Sequence, residues 1–156
     1  MADLNAVNRT LLAILDNQER RTAFAFEALP DAVYNADPGG GCNSIRKIGE
    51  HLIRLRQFQL MLLGSPLAER VPSVDAGETV ELLLEALATG TDLVRQAIAR
   101  HDPMDWYEVP ATPREGRWGE DPTIERFVRP FNDFTNHLGA VRAIRRMLGA
   151  GADRVQ

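Results

Sequence analysis

Apolar residues return every three or four positions through four long segments, and nowhere does the chain sustain the alternation of a half-buried strand. That periodicity confines the fold to packed helices. The first segment, from about Asp3 to Leu29, carries Leu4, Val7, Leu11, Leu15 and Phe26 on one face and ends at Pro30. The second opens on Asn43 or Ser44, either a good N-cap. It carries Ile45, Ile48, Leu52, Leu55 and Leu62, and stops at Gly64. The third covers about Val74 to Arg100, with Leu83, Leu87, Val94 and Ile98 in register. The fourth takes Asp121 as cap and Pro122 in its first turn and runs to about Leu148. Pro130 falls inside it and predicts a kink one turn before Asp133.

Between the segments lie PDAVYNADPGGGCN and the longer HDPMDWYEVPATPREGRWGEDP, both dense in turn formers. Four long helices with such connections predict one all-α domain over residues 1–150, a four-helix bundle with long crossover connections, followed by a flexible tail at 151–156. A crossover of about twenty residues tends to be a lid or the wall of a site. This one offers Trp106, Tyr107, Arg114 and Trp118 as candidate substrate contacts, although aromatics in a long loop more often cap the end of a core.

A net charge of −4 with a pI near 5.4 gives no electrostatic footprint for nucleic acid. QLMLLG, the densest apolar patch, is far too short to cross a membrane. The amino terminus has no long apolar run and no small-residue cleavage site, so the expected location is the cytoplasm. The single cysteine, Cys42, excludes an intrachain disulfide and sits in a glycine loop, where a free thiol is usually incidental.

The chemistry rests on three histidines. His51 has Ile48, Leu55 and Phe58 at helical spacing and so faces inward. Its neighbour Glu50 has Arg46 and Arg54 one turn away on either side, which marks a solvated face. His137 stands among Phe134, Val141 and Ile144, with Asp133 four residues upstream on the same face. His101 ends the third helix, where an imidazole favours the dipole, and reads as structural. Arg142 and Arg145 read as solvated, or as the edge of a dimer. His51, Asp133 and His137 then have two readings on spacing alone. One is a hydrogen-bonded polar network; the other is a divalent-metal site with open positions. Spacing does not separate them.

Two segments carry a resemblance. SIRKIGEHLIRL (44–55) resembles the second helix, and NDFTNHLGAVRAIRRML (132–148) the final helix, of the DinB/YfiT-like family of four-helix-bundle proteins. The long first helix and the Pro/Gly loop after it are also similar, so the resemblance spans nearly the whole chain. It implies that His51 and His137 match the family's first and last metal histidines and Gly139 the glycine that follows. Asp133 stands where the family has its middle histidine, and Ala140 where it has a glutamine. The implied site is therefore two histidines and one carboxylate, suited to zinc, nickel, iron or manganese. The resemblance further implies a metal-dependent enzyme, either a thiol-dependent S-transferase or a hydrolase, acting on a small electrophilic molecule. A low-molecular-weight thiol is the expected co-substrate, and a homodimer the expected assembly. The alternative is a non-catalytic, dimeric, stress-associated bundle in which the three residues form a structural cluster.

Overall fold

The computed structural model describes residues 6–110, apart from the side chain of residue 76, and 121–150. Within them lie α1 (Ala6–Phe26), a four-residue α2 (Asp31–Tyr34), α3 (Ile45–Leu62), α4 (Val80–Arg100) and α5 (Thr123–Met147). Three short 3-10 turns accompany them, at Pro66–Arg70, Val74–Gly77 and Asp105–Tyr107. No strand occurs among the described residues. The expected all-α bundle is what forms, and the tail at 151–156 lies outside the described residues. No described helix is long and apolar enough to cross a membrane.

Local chemistry sets most of the boundaries. Ser44 caps α3, its Oγ accepting from the Lys47 amide at 3.2 Å, and Thr79 caps α4 in the same way from Leu82. Each such cap contributes about 1 kcal/mol. Helix α3 ends in a Schellman turn, with Gly64 at φ +60°, the Gly64 amide on the Met61 carbonyl and the Ser65 amide on that of Leu60. Gly149 closes α5 identically.

Three boundaries differ from the sequence reading. The third helix does not begin at Val74; a 3-10 turn occupies Val74–Gly77 and Thr79 starts the helix proper. Pro122, not Asp121, is the N-cap of α5, because Asp121 turns back to hold Arg126 through its carbonyl and Arg129 through its carboxylate. Part of the first loop also coils into α2, whose Tyr34 is buried and donates to the Gly77 carbonyl at 2.7 Å. Helix α5 is continuous through Pro130.

Helix α1 packs on α4 and α5, and so does α3, giving the order α1–α4–α3–α5 around the bundle. Side-chain contacts fix the directions. Asn8 reaches Ile98 while Glu19 reaches Arg95, so α1 and α4 are antiparallel. Gln18 meets Phe131 and Arg145 meets Ala25, so α1 and α5 run together. Gly49 approaches Leu83, and Arg56 approaches Gly90, so α3 and α4 run together as well. The bundle is up, down, down, up. The α3–α4 connection must therefore return along the length of the molecule, and its two 3-10 turns pack on both helices as it does so. Leu15, Ile45, Leu52, Leu60, Leu83, Val94, Phe127 and Val141, all fully buried, form the core between the four helices.

Candidate metal centre

The two segments singled out in the sequence lie on α3 and α5, which pack antiparallel. Leu52, Leu55, Leu138 and Val141 are buried on these helices, and their burial fixes the rotation of each about its axis. That rotation brings His51 and His137 together, ring centroids 4.6 Å apart in a T-shaped contact at 77°. Asp133, one turn before His137, completes the group: one ligand atom from each of His51, Asp133 and His137 lies within 4.8 Å of the others. Two ligands on opposite sides of one ion stand about 4.2 Å apart at bonds of about 2.1 Å, so the cluster is close to the size of a first coordination sphere.

The histidines are half-buried and Asp133 is exposed, so the cluster is walled on the core side and open on the solvent side. Burial holds the His51 imidazole below its ordinary pKa. His137 acts in the same direction, Asp133 opposes both, and Arg54 adds a small depression. A neutral imidazole with a free ring nitrogen is the form that ligates a metal. Glu50 faces the other way and pairs with Arg46 at 3.1 Å, as the helical spacing predicts.

The crossover residues fare differently. Trp106 is 0% exposed, its indole N–H donating to Asn8 Oδ1 at 2.6 Å and its ring packed against His101 and Phe127. It seals the end of the core and presents no face to a ligand. Tyr107 is 62% exposed, while Arg114 and Trp118 lie outside the described residues. A cavity of about 430 Å³ does open beside the crossover, lined by Phe58, Leu62, His101, Glu108, Thr123 and Arg126 among others. It sits further along the α3–α5 seam and shares no residue with the cluster. His101 caps the end of α4 as expected, but burial holds it below its ordinary pKa against the pull of Asp105 and Asp102. Arg145 is not solvated: it is buried and donates to the carbonyls of Ala25 and Ala150. Arg142 is exposed, 5.2 Å from the Phe24 ring centroid.

Sequence reasoning missed Arg56 and Gln59, which α3 carries fully inside the bundle. The signal was present. Leu52, Ile53 and Leu60 surround Arg56 at helical spacing, the same test that turned His51 inward.

The fold and the cluster define a class, an all-α bundle with a His–Asp–His group bridging two antiparallel helices. A family model described as the DinB superfamily matches residues 14–137, a span that takes in all three residues of the cluster and ends on His137. The chain belongs to the DinB superfamily. Comparison with curated proteins and with solved structures gives no match.

Proposed function

We propose that His51, Asp133 and His137 hold one divalent cation and that this centre serves a reaction on a small electrophilic molecule. The observation that carries the reading is the convergence of the three ligand atoms from two helices on one point. Two imidazoles and a carboxylate form a borderline donor set, suited to zinc, nickel, iron or manganese. When bound, such an ion supplies Lewis acidity and acidifies a water or a thiol toward neutral pH. The chain's own contribution is to keep His51 unprotonated, to supply one negative charge from Asp133, and to leave the solvent side open for a substrate. The family resemblance extends the proposal to a low-molecular-weight thiol as co-substrate and to a homodimer, which light scattering tests.

Protein purified without affinity tag or chelator is expected to carry one equivalent of metal by elemental analysis. Metal-free protein is expected to melt at higher temperature when zinc, nickel or manganese is returned. A hundredfold excess over the dissociation constant corresponds to about 2.7 kcal/mol. An unchanged melting temperature with all three ions, together with no metal in the purified protein, leaves the alternative: a braced imidazole pair in a non-catalytic bundle. A thiol-transfer screen against small electrophiles then separates transferase from hydrolase chemistry in the metal-loaded protein.

A further inference from the structure

The middle of the bundle holds a second polar group that the candidate metal centre does not use. Arg56 is 1% exposed and Gln59 0%. The guanidinium donates through Nη1 to Gln59 Oε1 at 2.9 Å, and its Cζ stands 3.9 Å from the centroid of the Phe134 ring. Nε and Nη2 of Arg56 and Nε2 of Gln59 are buried with no hydrogen-bond partner among the described residues. All three are donors. Nε and Nη2 share one edge of the guanidinium plane, the edge that takes an anionic acceptor in bidentate fashion. The contact with Nη1 fixes the Gln59 amide, oxygen toward the guanidinium and NH₂ turned away, so the amide cannot supply the missing acceptor.

No carboxylate among the described residues forms an ion pair with Arg56. Glu19 acts on it only at a distance and is itself bonded to Arg95 at 2.9 Å. The core has nevertheless been shaped to admit the arginine. A Cβ built on Gly90 of α4 would stand 3.1 Å from Arg56 Cβ and 3.3 Å from its Cγ, so this glycine leaves the room the stem occupies. Leucine or methionine would fill comparable volume at no electrostatic cost, and replacing buried charge by apolar groups is often stabilising. Burial lowers the Arg56 pKa to about 9, which still leaves a cation in the core at neutral pH.

We propose that the Nε–Nη2 edge of the Arg56 guanidinium forms an internal site for a small monovalent anion of the halide type, with Gln59 holding the guanidinium in place through Nη1. Chloride is the abundant ion of that class. The site stands apart from the metal reading, since it uses none of the three ligands and is enclosed by the core.

The test titrates sodium chloride against sodium gluconate at constant ionic strength while following thermal unfolding of the full chain. The same titration is run on the His137→Ala chain, where a halide bound at a site metal cannot contribute. Both chains are expected to show a saturable rise in melting temperature of roughly 5–10 °C at a hundredfold excess over the dissociation constant. Crystals soaked in bromide are expected to show an anomalous peak against the Arg56 guanidinium. Arg56→Met is expected to abolish the chloride dependence. If that variant does not fold, Gln59→Glu decides the matter, because it supplies a carboxylate beside the guanidinium. It should melt higher than the parent in gluconate and lose its response to chloride. A flat chloride titration of the parent chain overturns the proposal, as does a Gln59→Glu chain that melts lower while responding to chloride as before.

Discussion

Glu50 and His51 are neighbours in the chain and belong to different environments, one in a partly buried ion pair with Arg46 and one against His137 in the α3–α5 seam. His137→Ala is therefore expected to abolish metal-induced stabilisation, while Glu50→Ala leaves it intact; equal losses in a melting assay would contradict the assignment. His101 gives a separate pH prediction. Its folded pKa lies below the unfolded value, so the unfolded chain binds more protons once pH drops under about 6.5. The stability contribution is complete above that value and is lost as pH falls from there through the lower folded pKa. Replacing His101 by Phe, which keeps a ring against Trp106, is expected to flatten part of the urea-midpoint profile below about pH 6.5. The inward histidines were legible because a residue's helical neighbours reveal its face. Arg56 was legible by the same test and was passed over because a buried cation runs against the usual hydrophobic bargain.

At the scale of elements, close approach decides which glycines matter. A Cβ on Gly49 would lie 2.7 Å from Leu83 Cδ2 on α4, so Gly49→Ala is expected to cost about 1–3 kcal/mol by overpacking that seam. Gly139 has nothing within 4 Å of the same position. Gly139→Ala is accordingly expected to stabilise α5 by about 0.5–1 kcal/mol. Chemical denaturation of the two variants checks the contrast, and equal effects would mean that helix propensity alone is at work. Helix ends set by local signals, Ser44 and Gly64 above all, could be read directly. The start of α4 could not. Val74 and Val80 both suit a helix, and what breaks the run between them is the docking of residues 74–77 against Tyr34 and α3.

At the scale of the molecule, one asparagine ties three parts of the bundle's lower end. Asn8 donates to the carbonyls of Ile98 and His101 at 3.0 and 3.1 Å and accepts from Trp106, joining α1, the end of α4 and the crossover. Asn8→Leu is expected to destabilise by about 2–3 kcal/mol, because it strands the buried indole N–H and takes the side-chain donor from the His101 carbonyl, while the Ile98 carbonyl keeps the His101 amide. Trp106→Phe leaves the Asn8 bonds to α4 in place but loses the indole donor and part of a buried ring, and should cost less; the reverse order in urea melts would show that packing dominates. Helical periodicity, caps and histidine faces are local properties, so the sequence by itself determined an all-α chain, its four long helices apart from the start of α4, and the inward placement of His51 and His137. The direction of each helix, the antiparallel seam that sets His51 against Asp133 and His137, and the burial of Arg56 against Gly90 were decided only by the tertiary structure. Each depends on which faces meet after the connections have crossed the bundle, and no spacing along one helix records what lies opposite.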